Sequence, residues 1–184
     1  MADETRVIRL DLTKINKTRW ITVTALFMAL NIAVSSFGIP VPGGHLYLSD
    51  IIICTAALLL DPVAAFLVGG VGSFLGDLIF YPAPMFVSLA THGLQAFVIA
   101  LITFNAARFE KKKYFVICLI ATIIGGVIVV VGYTLGKTFV YATFEYAMIK
   151  LPYEIAQAVL GIVVSLLLCF KAKLHAIFNK MQIY

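Results

Sequence analysis

Charged side chains are scarce in this sequence, making up only 12% of its 184 residues. Soluble domains carry about 25% charged residues and roughly 45–50% apolar ones. Here the hydrophobic share is 62% and the mean hydropathy is +1.03. This composition excludes an ordinary soluble domain and predicts an integral membrane protein.

The sequence also lacks the spacings that hold metals, disulfides or nucleotides. Cys54, Cys118 and Cys169 are isolated and each lies within an apolar run, so we expect small buried or lipid-facing side chains. The three histidines show no metal-ligand spacing, and no Gly-x-x-x-x-Gly-Lys-Ser/Thr loop is present. We therefore expect no cofactor, and the polar first twenty residues predict no removable signal peptide.

Six hydrophobic runs predict an all-α bundle of six transmembrane helices, because one crossing needs about 20 residues. The second run is short for a span, which leaves three readings: little tilt, continuation into the next loop, or a thin region of the bundle. We expect one membrane domain covering 1–184, with a cytoplasmic segment 1–19, a bundle 20–170 and a cytoplasmic tail 171–184. The runs are Trp20 to Phe37, Ser49 to Leu60, Val63 to Phe80, Met85 to Phe104, Tyr114 to Gly136 and Pro152 to Phe170.

Basic residues are unevenly divided between the two predicted sides. Of the fourteen Lys and Arg, all but Lys137 and Lys150 fall before the first run, between the fourth and fifth, or after the sixth. Because positive charge is retained on the cytoplasmic side, this bias predicts that both termini are cytoplasmic. It also accounts for the net charge of +5 as topology, so we expect no nucleic-acid partner.

Polar residues gather near the predicted outer ends of the runs. His92 and Gln95 follow Ser88 at spacings of four and three, which places all three on one helical face. The inner halves are almost wholly apolar, and no internal repeat is evident, which disfavours an ion relay or a stand-alone secondary transporter. The pattern predicts a pocket open to the outside.

The segment Pro40 to Asp50, rich in Pro and Gly at its start, predicts a lid over this pocket. The alternative is an ordinary interfacial turn whose His45 and Tyr47 lie at headgroup depth. Asp77 precedes the Pro-broken turn at Tyr81 to Pro84, and we expect it to cap that turn or the next helix N-terminus.

Two stripes of small residues predict close helix contacts. For the glycine stripe in the third run we favour packing inside the bundle. For the alanine stripe, packing inside the bundle and contact with a partner protein are equally compatible. The stripes are Gly69, Gly70, Gly72 and Gly76, and Ala25, Ala29 and Ala33.

These features together resemble the substrate-binding S components of energy-coupling factor (ECF) vitamin transporters. The resemblance lies in the alanine stripe, the run Gly-His-Leu-Tyr-Leu-Ser-Asp, and the segments GGVGSFLGDL and HGLQAF. The sequence is most similar to the branch with riboflavin-type and hydroxymethylpyrimidine or pyridoxine-type members, of which the second is favoured. The resemblance implies that the protein is not an enzyme. It implies a subunit of an importer in a prokaryotic plasma membrane, and this subunit would bind a vitamin on the outer side of the membrane. It would dock through Ala25, Ala29 and Ala33 onto a transmembrane coupling subunit with two ATPases.

A small heterocycle needs aromatic stacking and a few convergent polar groups. The candidate substrate-binding residues are His45, Tyr47, His92, Gln95, Tyr133, Lys137, Glu154 and Gln157. For Glu154 and Lys137 the competing interpretation is an ion pair with each other, and for His92 a core histidine. Competing functions are riboflavin or another B-vitamin as substrate, a stand-alone secondary transporter, and a membrane enzyme using Asp77, His92 and Glu154.

Overall fold

A computed structural model describes residues 17–42, 44–172, 174–175 and 177–178. Most of the predicted segment 1–19 and part of the tail 171–184 lie outside these residues, as do several of the basic residues that set the predicted orientation. Within the described chain, six helices form a bundle. They are α1 (Lys17–Ser35), α2 (Ser49–Leu59), α3 (Pro62–Phe80), α4 (Met85–Ala106), α5 (Lys111–Tyr141) and α6 (Phe144–Lys171).

Five of these six described helices are long and apolar enough to cross a membrane, and α2 is apolar but shorter. The 11 residues of α2 extend only about 16 Å at 1.5 Å per residue. Its short length accompanies nearly complete burial, since every residue from Ile53 to Leu60 is buried. α2 packs against α1, α3, α4 and α6, so it is the central element of the bundle.

The segment between α1 and α2 corrects the all-α prediction. Strands β1 (Gly38–Val41) and β2 (Gly44–Tyr47) form an antiparallel hairpin in which Gly38 pairs with Tyr47 and Pro40 with His45. Gly44 has φ +124°, a conformation that glycine adopts without the strain a Cβ would cause. We call the end of the bundle that carries this hairpin the hairpin end.

The last two helices correct the predicted boundaries. The predicted runs end at Gly136 and resume at Pro152, which makes Lys137 to Leu151 a loop, but α5 continues to Tyr141 through a π-helical turn and α6 begins at Phe144. Pro152 lies inside α6, where it cannot donate to the carbonyl of Met148. The 31 residues of α5 measure about 46 Å, more than the ~30 Å hydrocarbon core of a bilayer, so the helix ends extend beyond it.

α3 is anchored at its start and tightly packed in its middle. Asp61 accepts backbone N–H bonds from Val63 and Ala64 at 3.0 and 3.1 Å and a bond from the indole of Trp20 on α1. A Cβ on Gly69 would lie 2.6 Å from the carbonyl oxygen of His92 on α4. Gly70 likewise faces α4, and Gly72 and Gly76 face α1, so the predicted internal packing of the glycine stripe is confirmed.

Candidate substrate-binding site

A cavity of about 150 Å³ lies at the hairpin end, between the hairpin and helices α3 to α6. Its polar lining contrasts with the opposite half of the bundle, where the core cluster consists mainly of Leu, Ile, Ala, Val and Cys side chains with a few Phe and Tyr rings. The lining residues are Ser35, Gly44, His45, Tyr47, Ser49, Ser73, Asp77, Tyr81, Pro84, His92, Val129, Tyr133, Lys137, Tyr141, Tyr146, Lys150, Glu154 and Gln157.

Seven of the eight predicted substrate-binding residues line this cavity, although they come from the hairpin and three different helices. The eighth, Gln95, is 1% exposed and lies behind the lining. The structure therefore brings the predicted residues together and separates one of them from the cavity itself.

Asp50 at the start of α2 organises the floor of the site, and sequence reasoning did not assign it a role. Its carboxylate is fully buried. Gln95 Nε2 donates to Oδ1 at 3.0 Å and Gln157 Nε2 donates to Oδ2 at 2.6 Å. These bonds satisfy a buried negative charge, so both amide groups are fixed in orientation by Asp50.

The orientation of the Gln95 amide in turn determines which ring nitrogen of His92 carries a hydrogen. Because Gln95 Nε2 donates to Asp50, its Oε1 is the acceptor that faces His92 Nδ1 at 2.9 Å. Nδ1 therefore carries a hydrogen, and in the neutral ring Nε2 is an acceptor. The His92 ring also meets the Tyr133 ring edge-on, with centroids 5.3 Å apart.

A chain of hydroxyl groups joins α5, α4 and α3 beside the histidine. The Ser88 hydroxyl donates to Asp77, and the Tyr133 hydroxyl lies 2.5 Å from Ser88 Oγ. Since Ser88 uses its single hydrogen on Asp77, Tyr133 donates to Ser88. The predicted capping role of Asp77 is wrong: α4 has no side-chain cap at Pro84, and the carboxylate lines the cavity instead.

Lys137 and Glu154 form a buried ion pair across α5 and α6. The pair engages Glu154 Oε1, whereas the buried Oε2 has no hydrogen-bond partner among the described residues. An unsatisfied buried carboxylate oxygen is costly. The predicted pairing is thus present, and it leaves the second carboxylate oxygen of a cavity-lining residue without a partner among the described residues.

Sequence reasoning missed Tyr141, Tyr146 and Lys150, because they fall in the stretch that was expected to be a loop. Tyr146, Lys150, Glu154 and Gln157 are spaced four, four and three apart, which is the signature of one helical face. Extending this helical periodicity to the residues before Pro152 would have identified Tyr146 and Lys150. Lys150 Nζ lies 5.9 Å from the centroid of the Tyr47 ring.

The hairpin is tied to the floor of the site by its last residue. The backbone N–H of Tyr47 donates to Gln157 Oε1 at 2.9 Å. Burial, helped by the nearby Asp77 carboxylate, raises the pKa of the Tyr47 hydroxyl above its ordinary value, so it stays protonated and can donate a hydrogen bond. His45 is exposed at the rim, with its ring centroid 6.2 Å from that of Tyr47.

The described residues contain no cluster of three or more His, Cys, Asp or Glu placed to hold a metal ion. Cys54, Cys118 and Cys169 are buried and are not disulfide-bonded, as expected for small core residues.

The alanine stripe faces away from the bundle. Ala25, Ala29 and Ala33 are all exposed, while Thr24, Phe27 and Asn31 are the buried residues of α1. Of the two predicted alternatives for the stripe, packing inside the bundle is therefore wrong. The stripe presents a flat strip of small side chains on the outer surface of α1.

A membrane bundle with a polar cavity at one end and an apolar opposite half has the architecture of a small-molecule-binding membrane protein. A family profile described as the ECF-type riboflavin transporter, S component, matches residues 15–174. The chain belongs to this family. It is also similar to a protein of Pyrococcus woesei described as an uncharacterized protein in the gap 3' region, with 28% identity over 139 residues, covering 74% of this chain and 89% of the relative.

Family membership establishes a transporter subunit that binds a vitamin, works with a membrane coupling subunit and ATPases, and is not an enzyme. The membrane-enzyme alternative is thereby excluded.

Proposed function

We propose that the cavity at the hairpin end captures a vitamin with a flat nitrogen heterocycle and holds it for delivery to a coupling subunit. Five tyrosines supply aromatic wall area around a small volume, and such rings favour stacking or edge contacts with a planar ligand. They are Tyr47, Tyr81, Tyr133, Tyr141 and Tyr146.

One observation carries the proposal: Glu154 lines the cavity, and its buried Oε2 has no hydrogen-bond partner among the described residues. A buried carboxylate oxygen is stabilised when a ligand N–H or O–H donates to it. The acceptor Nε2 of His92 and the ammonium of Lys150 add two further polar groups around the same space. A heterocycle with a donor beside an acceptor complements this set.

Two classes of substrate, single-ring and three-ring, are supported by different observations. The cavity volume of about 150 Å³ is below the ~300–1,000 Å³ of sites for drug-sized ligands, which favours a single ring such as hydroxymethylpyrimidine or pyridoxine. The family description names riboflavin, whose three-ring system would require the hairpin to move outward. All three compounds carry groups able to donate to Glu154.

Calorimetric titration of the purified chain with riboflavin, hydroxymethylpyrimidine and pyridoxine tests the proposal. We expect one of them to bind with a Kd below about 1 μM, equivalent to roughly −8 kcal/mol, and Glu154→Gln to weaken that binding at least tenfold. Glu145→Gln on the same helix is the matched control, because Glu145 is exposed. Absence of micromolar binding for all three, or equal losses in both variants, would contradict the proposal.

Delivery of the vitamin to a coupling subunit would depend on the exposed face of α1 and on the orientation of the bundle in the membrane. We propose that six helices span a prokaryotic plasma membrane with both termini in the cytoplasm, so that the cavity opens to the outside, as the distribution of Lys and Arg supports. The exposed alanines would allow a coupling-subunit helix to approach closely, and two ATPases attached to that subunit would supply the energy. Uptake by the chain alone in liposomes would instead support a stand-alone transporter.

A further inference from the structure

The end of the bundle opposite the substrate cavity carries a second, open groove of about 410 Å³, where α4 is connected to α5. It is lined by Phe109, Lys112, Lys113, Val116 and Ile117. Phe109 and Val116 are 39% and 51% exposed, so apolar surface is accessible here. The groove shares no residue with the vitamin site.

Basic side chains surround this apolar groove. Arg108, Lys111, Lys112 and Lys113 are exposed, and Glu110 is the acidic residue among them. Neither Lys112 nor Lys113 forms an ion pair with any described residue. The Arg108 guanidinium lies 5.3 Å from the centroid of the Phe109 ring, which places a third positive charge at the groove.

The order of these residues along α5 matches the depth profile of a bilayer surface. Lys112 and Lys113 lie in the first turn of the helix, and Val116 and Ile117 lie one turn further along, about 6 Å deeper at 1.5 Å per residue. Lysine stems lie along apolar surface while their ammonium groups remain at headgroup level. Basic pockets at the ends of transmembrane helices are suited to anionic lipid headgroups.

We propose that this groove binds an anionic, phosphate-bearing membrane lipid. Its phosphate would lie between Lys112, Lys113 and Arg108, and an acyl or isoprenoid chain would pack along Phe109, Val116 and Ile117. Charge complementarity selects the headgroup, and the exposed apolar floor requires a hydrocarbon chain that a free anion lacks. The proposal needs only that this end of the bundle meets a membrane surface, whichever vitamin is bound at the other end.

Native mass spectrometry of the full chain, released from mixed bilayers of dioleoylphosphatidylglycerol and dioleoylphosphatidylcholine, measures retained lipid. We expect preferential retention of phosphatidylglycerol, and loss of about tenfold in its apparent affinity in Lys112→Gln/Lys113→Gln, since each basic residue contributes to attraction by anionic lipid. Lys17→Gln/Lys171→Gln is the matched control, because it removes two exposed charges outside the groove. It should change the affinity less than twofold.

Three results would overturn the proposal. Equal retention of both lipids, or equal losses in both double variants, would show that no headgroup site exists. Displacement of the lipid by millimolar inorganic phosphate would assign the groove to a free anion. Unchanged lipid retention in Lys112→Gln/Lys113→Gln, combined with lost assembly on the coupling subunit, would assign the groove to a protein partner.

Discussion

Gln157 Nε2 donates to Asp50 Oδ2 at 2.6 Å and joins α6 to α2 through two residues that are 107 positions apart in sequence. The same side chain accepts from the backbone N–H of Tyr47 through Oε1. One amide group thus connects a buried carboxylate with the hairpin over the cavity. Gln157 therefore links the floor of the site to the hairpin, which is the proposed lid.

Gln157→Leu should detach the hairpin from the floor of the site. The substitution leaves Asp50 Oδ2 without this donor and frees the Tyr47 amide, and a hydrogen bond to a charged group contributes about 1.5–3 kcal/mol. We expect vitamin affinity to fall at least tenfold and amide hydrogen exchange at Tyr47 to accelerate. Val159→Leu, at an exposed position of the same helix, is the control. Unchanged exchange at Tyr47 would show that Gln157 does not hold the hairpin.

The Lys137–Glu154 pair allows stability and binding to be separated. Lys137→Met leaves a buried, uncompensated carboxylate, which typically costs about 3–5 kcal/mol. Lys137→Met/Glu154→Gln removes both charges, so we expect it to recover most of the free energy of unfolding while vitamin binding stays weak in both variants. Denaturant titration in detergent measures the first quantity and calorimetry the second. Wild-type stability in Lys137→Met alone would show that the pair is solvated.

Tyr133 should contribute more through its ring than through its hydroxyl. Tyr133→Phe keeps the edge-on contact with His92 and removes only the donor to Ser88, so we expect less than a tenfold loss of vitamin affinity. Tyr133→Ala also removes the aromatic wall and should lose more than tenfold. Tyr153→Ala, outside the cavity lining, serves as the control. Equal effects of Phe and Ala would mean that the hydroxyl chain to Asp77 dominates.

The position of the candidate site could be predicted because the position of a residue along a hydrophobic run indicates its depth in the membrane. Ionisable groups are expensive in hydrocarbon and are found mainly at ligand or ion sites, so the positions of His92, Tyr133 and Glu154 in the sequence predict a site at one end of the bundle. The sequence also shows that the second hydrophobic run is short, but it does not predict that the corresponding helix, α2, is buried. Eleven apolar residues do not reveal that α2 is enclosed by four neighbouring helices, because burial on all sides and exposure to lipid select the same side chains.

The errors near Lys137 to Leu151 have a common physical origin. The hydrophobic runs mark only the most apolar part of each helix, whereas the polar residues of this stretch lie in helical turns that end α5 and begin α6. Tyr146 and Lys150 were missed for this reason. Asp50 was missed because its buried carboxylate accepts hydrogen bonds from residues distant in sequence, Gln95 and Gln157. A local sequence pattern does not indicate such contacts.

The last prediction concerns the exposed face of α1. Ala29→Trp places a bulky indole on a strip where a partner helix would need close approach, and the buried face of α1 at Thr24, Phe27 and Asn31 is left unchanged. We therefore expect vitamin affinity of the isolated chain to stay within twofold of wild type, while co-purification with the coupling subunit and ATP-dependent uptake are lost.

Val127→Trp is the matched control for this substitution, since Val127 is an exposed residue of α5 outside the stripe, and its effect on assembly should be small. Lost vitamin binding in isolated Ala29→Trp would show that the stripe supports the bundle internally, contrary to its exposure. Retained assembly would show that the alanines face lipid and that the coupling subunit docks elsewhere. Because binding and assembly are measured on the same two variants, a fault in the cavity is distinguished from a fault in docking.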